Sequence, residues 1–283
     1  MKAIILKVIA NQIIVWYKEQ KITVFAPGKW KQSNIILHPG DYVELAYKNS
    51  ELIITNLLDR KNIIYKPKLA NIDNLVIIQS IVNPNISWLQ LLKKLAFYEY
   101  HLSIVPIILF TKLDLQEFSQ TDKIFIKDLI NLNYPIFFKR NLNVIKELKK
   151  IFVSKISCFV GESGVGKSTL INELDPTFTR KHNEVSKKLK RGKNTTTTTE
   201  LLPFCEGFLA DTPGYSKFKI NLTSQQLSES FHDFANFKLK CKFNDCLHLN
   251  ENNCAIIKFV NLKKIPKWFY EIYKELQKQL KQI

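Results

Sequence analysis

The stretch Gly161-Glu162-Ser163-Gly164-Val165-Gly166-Lys167-Ser168 satisfies G-x-x-x-x-G-K-[ST], with Thr169 directly after it, and holds three of the chain's eight glycines. Residues of this kind in this order make a loop that takes phosphate. Backbone N–H groups converge on phosphate oxygens only where side chains leave room, and the N-terminus of a following helix adds a potential that favours an anion. In such a loop Lys167 neutralises the β and γ phosphates of a nucleotide, and the Ser168 hydroxyl ligates magnesium. Forty-odd residues later comes Asp211-Thr212-Pro213-Gly214, after the apolar run Gly207 to Ala210. A carboxylate at that strand end would hold magnesium, usually through water, and the Gly214 N–H would meet the γ phosphate.

A third stretch, Thr111-Lys112-Leu113-Asp114, follows the apolar run Ile104 to Phe110, where a ligand motif at the C-terminal end of a strand belongs. A carboxylate there accepts two hydrogen bonds from the guanine N1–H and exocyclic amine. Adenine offers no such pair, so Asp114 would select GTP over ATP, with Lys112 along the base. The plainer alternative is a strand-to-helix turn with Asp near an N-cap.

Cys241, Cys246, His248 and Cys254 give C-x4-C-x-H-x5-C. Three thiolates and one imidazole complete a tetrahedral shell with no open position, so a zinc ion there would be structural rather than catalytic. The clustering in a chain of five cysteines argues for metal over a disulfide framework. The other two, Cys158 and Cys205, sit in strand-like stretches and read as buried core thiols.

The elements that must position these residues follow from periodicity. Up to about Pro67, the runs Ile13 to Tyr17, Ile22 to Phe25, Ile35 to Leu37, Tyr42 to Leu45 and Leu52 to Thr55 are separated by Pro27-Gly28, Pro39-Gly40-Asp41 and Lys48 to Ser50. Short strands at this spacing predict a small closed barrel. An OB-fold fits best, and strand count alone leaves an SH3-like barrel open. Beyond Pro67 the runs Leu75 to Ile81, Ile104 to Phe110, Pro135 to Phe138 and Ile156 to Val160 alternate with helical stretches, the pattern of a mostly parallel sheet with helices on its faces. From about Asn221 the chain is rich in Phe, Lys and Asn and ends in a helix from Pro266. On that helix Trp268, Ile272, Leu276 and Leu280 form a packing stripe, with Phe269 and Tyr273 beside them.

Composition narrows the class further. The 283 residues are 46% hydrophobic and 24% charged, which excludes a largely disordered chain. The longest nearly apolar runs, such as Leu102 to Phe110, fall far short of the roughly 18 residues a spanning helix needs. Lys7 and Asn11-Gln12 interrupt the N-terminal apolar run before a secretory leader can form, so a cytoplasmic location and no membrane partner are expected. The 42 Lys and Arg against 25 Asp and Glu leave +17, the footprint of a protein that meets nucleic acid, although a Lys-, Ile- and Asn-rich chain also drifts basic through codon bias. Seven of these cations stand between Arg180 and Lys193, against the single acid Glu184. That run lies between the phosphate loop and Asp211, where the first switch of a GTPase belongs, and RNA contact through phosphates suits it.

The guanine motif precedes the phosphate loop, which reverses the usual G-protein order. This order, with a barrel before it and a Cys/His window after it, resembles the circularly permuted bacterial GTPase family RsgA (YjeQ/YloQ), the small ribosomal subunit-dependent GTPases. The resemblance extends over nearly the whole chain: Pro39 to Val43, Arg60-Lys61-Asn62, Ala70-Asn71-Ile72-Asp73, Thr111 to Asp114, Gly161 to Thr169, Arg191 to Thr197, Asp211 to Gly214 and Cys241-Lys242-Phe243. It implies an OB-fold barrel at 1–67, a circularly permuted α/β P-loop GTPase domain at 68–220 and a mostly helical zinc-binding domain at 221–283. The implied protein is a monomer that docks on the small ribosomal subunit and its rRNA late in assembly, with GTP hydrolysis to GDP driving release. Two departures stand out. Asn194 occupies a position where family members commonly carry His, so Asn194 joins Lys167 as the expected catalytic pair. The Ser-Ala signature of the last guanine motif is not visible around Ile136 to Arg140. Two other readings remain: a P-loop ATPase or nucleotide kinase, against which Asp114 argues, and an RNA-binding module whose nucleotide site no longer turns over.

Overall fold

A computed structural model describes residues 1–9, 12–28, 30, 35–140, 143–177, 199–211 and 221–281, with the side chain of Asp211 excepted. The chain divides into two compact units, one of Met1–Leu75, Asn141–Val160 and Lys167–Gly214, the other of Val76–Arg140, Gly161–Gly166 and Tyr215–Ile283.

In the first unit, β1 (Lys2–Ile9), β2 (Gln12–Tyr17), β3 (Gln20–Val24), β4 (Tyr42–Lys48) and β5 (Glu51–Leu57) form one sheet in the order β3-β2-β1-β4-β5, with antiparallel neighbours. A parallel bridge between Phe25 and Ile53 brings the end of β3 onto β5. Alternation along the strands sends Ala3, Ile5, Ile13, Val15, Val24, Val43, Leu45 and Ile54 inward around Trp30. The run Ile35 to Leu37 is not a strand. Ile35 and Ile36 are exposed, and Pro39 just beyond has no N–H to give a ladder. The remaining strand is β1, an N-terminal run weighed above only as a leader.

The segments Pro39 to Asp41, Arg60 to Asn62 and Ala70 to Asp73 meet in one polar seam around the hairpin of β6 (Ile63–Tyr65) and β7 (Lys68–Ala70). Asp41, fully buried, accepts from Arg60 Nε at 2.6 Å, Arg60 Nη2 at 2.8 Å and the His38 N–H at 2.7 Å. Asn62 exchanges side-chain hydrogen bonds with the Ile72 backbone at 2.8 and 2.9 Å, and Asn71 Nδ2 donates to the Gly40 carbonyl at 2.8 Å. These motifs thus hold chain to chain, because a buried carboxylate is tolerated only with its acceptors filled.

The first unit also holds β11 (Ile156–Val160), β12 (Glu200–Phe204) and β13 (Gly207–Asp211), with β11 parallel to β13 and β12 antiparallel to it. Helices α3 (Asn143–Phe152) and α4 (Lys167–Leu174) pack against each other in the same unit. Cys158 is buried as expected, but Cys205 is only half-buried. It stands with Glu206 in the two-residue turn between β12 and β13, both at positive φ, so the apolar run around it ends in a hairpin rather than a core strand. Glu200 accepts from Lys7 at 2.8 Å and Lys21 at 3.2 Å, tying β12 to the N-terminal sheet.

In the second unit β8 (Asn74–Ser80) and β10 (Ile136–Phe138) flank β9 (Ile107–Thr111) in parallel. Strand β9 starts later than the run from Ile104 suggests, after Pro106. Helices α1 (Trp88–Leu102) and α2 (Gln120–Asn131) carry Ser N-caps, and α2 has a full capping box with Asp122. The C-terminal part of the unit is helical: α5 (Ser224–Ser228), α6 (His232–Lys238), α7 (Ala255–Asn261) and α8 (Lys267–Lys281). Helix α8 buries Phe269, Tyr270, Tyr273, Leu276 and Gln277, a face turned by about one residue from the stripe anticipated through Trp268. Trp268 instead stacks on Phe125 at 4.0 Å and donates its indole N–H to Asp128 at 2.8 Å. Phe231, Phe234, Phe269 and Tyr273 form a fully buried aromatic cluster, each ring stabilising the fold by roughly 1.5–3 kcal/mol.

Two helices are joined by a buried charge network. Glu99 of α1 accepts from the His232 backbone N–H at 2.7 Å, from His232 Nδ1 at 2.8 Å and from Tyr134 Oη at 2.7 Å. His232 Nε2 reaches the Leu132 carbonyl at 2.8 Å. Burial disfavours the imidazolium, yet the hydrogen bond and charge of Glu99 outweigh it and raise the His232 pKa to about 9. Among the described residues no helix is long and apolar enough to cross a membrane.

Candidate nucleotide and metal sites

The guanine and phosphate motifs meet within the second unit. Strand β9 delivers Thr111, almost fully buried, at its C-terminal end. The Thr111 hydroxyl donates to the Val165 carbonyl of the phosphate loop at 2.7 Å, so this residue braces the loop. Lys112, at φ +60°, turns the chain out of the strand, and its ammonium donates to the Asn83 carbonyl. Leu113 is half-buried and Asp114 is exposed.

Within the loop, Gly161 is required by close approach: a Cβ there would stand 2.7 Å from the Ile78 carbonyl oxygen. Gly166 is required by its φ of +98°. Val165 is buried, whereas Ser163 and Gly164 are exposed. Glu162 is paired with Lys94 of α1, Nζ to Oε1 at 3.1 Å. Directly along the chain, Lys167 opens α4, with Ser168 and Thr169 exposed in its first turn. In the first unit, Asp211 ends β13 beside β11, the strand that leads into the loop. The Asp211 side chain, Asn194, Gly214, the threonines 195–197 and the basic run Arg180 to Lys193 lie outside the described residues.

The segment after β8 escaped the sequence reading. Ser80 Oγ donates to the Pro84 carbonyl at 2.7 Å, the Ile81 N–H reaches the Thr111 carbonyl at 3.3 Å, and Asn83 receives Lys112. It braces the guanine motif through backbone carbonyls, which any residue supplies, so only the Asn83-Pro84 turn hints at it.

The four residues of the Cys/His window do come together. One ligand atom from each of Cys241, Cys246, His248 and Cys254 lies within 4.8 Å of the others, and Cys246, His248 and Cys254 are buried. His248 Nδ1 is 3.7 Å from Cys241 Sγ and 3.4 Å from Cys254 Sγ. Burial lowers the His248 pKa to about 4, so the ring is the neutral ligand form, and burial pushes the Cys254 thiol up to about 12. Crowded buried thiols of this kind ionise when a cation compensates them, and these residues fit a soft metal ion.

The loop around them is held from two sides. Against the cost of burial, the backbone N–H groups of Glu251 itself, Leu249, Leu247 and Asn250 keep the Glu251 carboxyl below the ordinary carboxylate range. Its oxygens accept from Leu247 at 2.7 Å, Leu249 at 2.7 Å and Asn250 at 3.0 Å. From α8, Tyr270 donates to the His248 carbonyl at 2.8 Å and Tyr273 to the Leu247 carbonyl at 2.5 Å.

Residues 57–221 match the model of the RsgA GTPase family. The chain belongs to that family. As an RsgA GTPase it is a GTP hydrolase. It is 40% identical over 280 residues to the small ribosomal subunit biogenesis GTPase RsgA of Mycoplasmoides gallisepticum, covering 99% of this chain and all of that one. The protein of the same name from Ureaplasma urealyticum is 40% identical over 99% of this chain and 95% of its own. Among solved structures, the circularly permuted GTPase YloQ superposes with a TM-score of 0.79 at 28% identity over 99% of this chain and 95% of that one. YjeQ from Thermotoga maritima also scores 0.79 at 28% identity, over 99% and 98%. The permuted order read from the motifs is therefore a family property.

Proposed function

We propose that this protein binds the small ribosomal subunit and assists its late maturation, hydrolysing GTP to GDP and phosphate on the subunit and then dissociating. The observation that carries the reading is the brace of Thr111 on Val165, which holds a guanine-type motif beside a phosphate loop in a chain whose full-length relatives are named for small-subunit biogenesis. The net charge of +17 suits an rRNA partner, and a cytoplasmic monomer belongs to the same proposal.

In this reading Thr111, Lys112, Leu113 and Asp114 take the base, residues 161–169 cradle the phosphates, and Lys167 stabilises charge on the outer phosphates. Ser168 and Asp211 would hold magnesium, which would supply further charge neutralisation on the phosphates. The Gly214 N–H meets the γ phosphate. Asn194 orients the attacking water without accepting a proton, since an amide does not titrate near neutral pH. The Arg180 to Lys193 run contacts rRNA phosphates. The three-part division at 67 and 220 belongs to this proposal, as does the OB-fold. The parallel closure of β3 onto β5 in the order β3-β2-β1-β4-β5 supports it. For the Cys/His centre the proposed ion is zinc. Zn–S of about 2.3 Å and Zn–N of about 2.0–2.1 Å at the tetrahedral angle place S and N about 3.6 Å apart, beside the observed 3.4 and 3.7 Å.

The test is GTP hydrolysis by the purified protein with and without small subunits. Slow turnover alone and stimulation on the subunit, fading at high salt, is the expected result; equal rates overturn the subunit-coupled reading. Asp114→Asn should weaken GTP binding by about 2 kcal/mol and favour xanthosine nucleotides relatively. An unchanged order among GTP, ATP and XTP would remove Asp114 from base selection.

A further inference from the structure

The geometry points to Lys94 as a positioning residue for the nucleotide: by pairing with Glu162 it cancels a negative charge that this chain carries inside its own phosphate loop. The inference rests on the phosphate-loop reading of residues 161–168.

Helix α1 buries Leu91, Leu92, Leu95, Ala96, Tyr98 and Leu102, and among them two charged residues, Lys94 and Glu99. Glu99 is accounted for by His232 and Tyr134. The Lys94 side chain is 4% exposed and its Nζ stands 3.1 Å from Glu162 Oε1, whose side chain is 32% exposed. A lysine is rarely so buried unless it is paired.

Glu162 is the first of the four residues between the glycines of the loop. Any nucleotide seated there brings several negative charges to the N–H groups around it, and a carboxylate in the same loop repels them at short range, more strongly than in bulk water. Lys94 removes that repulsion from behind, out of the ligand's way.

A mere tether between helix and loop needs no charge, because an apolar contact of the same volume holds as well without the cost of desolvating two ions. What the lysine adds to a tether is its positive charge. The two roles differ in symmetry. A tether fails equally when either partner is removed, whereas a charge shield fails only when the cation is removed.

The experiment measures Kd for GDP and for a non-hydrolysable GTP analogue on the full chain as wild type, Lys94→Met, Glu162→Gln and the double variant. Lys94→Met should weaken GDP by about tenfold or more, and the GTP analogue further, because it carries more charge. Glu162→Gln keeps the backbone N–H groups of the cradle and leaves the Lys94 charge uncancelled, so it should bind more tightly than wild type, and the double variant should return to within about twofold of it. Equal weakening by both single changes, wild-type affinity in Lys94→Met, or no rescue in the double variant overturns the proposal. If Lys94→Met does not fold, Glu162→Gln and the double variant still decide it, since weak binding by either contradicts a shield. A wild-type protein that binds no GDP would instead overturn the phosphate-loop reading itself.

Discussion

The metal window and the nucleotide motifs are built on opposite plans. The metal window takes its four side chains from one stretch, Cys241 to Cys254, buries three of them and clamps the loop with Glu251, Tyr270 and Tyr273. The proposed nucleotide site takes residues from Thr111 to Asp114 and Gly161 to Gly166, leaves Asp114, Ser163 and Gly164 exposed, and connects its parts by single hydrogen bonds such as Thr111 to Val165. A structural ion is held as part of the core, so the loop around it is closed. A nucleotide must enter and leave, so its loops are braced from behind and open in front.

That contrast can be broken in graded ways. The largest effect should come from Cys246→Ser, which removes a buried ligand: loss of the metal and of more than about 3 kcal/mol of stability is expected from residue 221 onward, with GDP binding largely kept. Metal analysis, near-ultraviolet circular dichroism of the tyrosines and a GDP titration check it, and loss of GDP binding to the same extent would merge the two plans into one.

A smaller effect should follow from His232→Gln at the head of α6. A folded pKa of about 9 against about 6.5 unfolded means that the imidazolium stabilises the native state. The gap to the variant is fully present below pH 6.5 and is lost as pH rises through about 9. On the order of 2 kcal/mol is expected at pH 6, allowing for Asp233, whose own pKa burial raises to about 6. Urea denaturation at pH 6, 7.5 and 9.5 reads the gap, and a constant difference would show that the imidazole acts by shape alone.

The smallest is Thr111→Val, which deletes the brace but keeps the volume. About 1 kcal/mol of nucleotide affinity should go, and about 1 kcal/mol of global stability with it, because the Val165 carbonyl loses its donor in a buried place. Calorimetry of GDP binding measures it; unaltered affinity would show that the loop keeps its shape unaided.

How far each region is legible in the sequence follows from the same contrast. The metal quartet is readable because its spacing is local, and the phosphate loop because its glycines obey a steric demand, as Gly161 against Ile78 shows. The parallel strands were visible as apolar runs. The contribution of the Asn83 segment was not, because backbone carbonyls leave no side-chain signature. Nor was the pairing of Lys94, since a lysine on an apolar helix face names no partner 68 positions along the chain. The displaced face of α8 has a similar cause: Trp268 is the largest candidate, yet its N–H needs an acceptor, and Asp128 supplies it at the margin of the core. The strand expected at Ile35 failed because apolar composition without a partner edge does not make a ladder.

Helix α1 carries its two buried charges at positions 94 and 99, the first directed to the phosphate loop and the second to the head of α6. Because successive residues of an α-helix are turned by about 100°, inserting or deleting one residue between them would swing one charge off its partner whichever end stayed fixed. The two attachments therefore share a single register. Lineages descending from this sequence can exchange side chains along the segment, but they can change its length only by abandoning one anchor or replacing both, so its length is inherited as a fixed spacer.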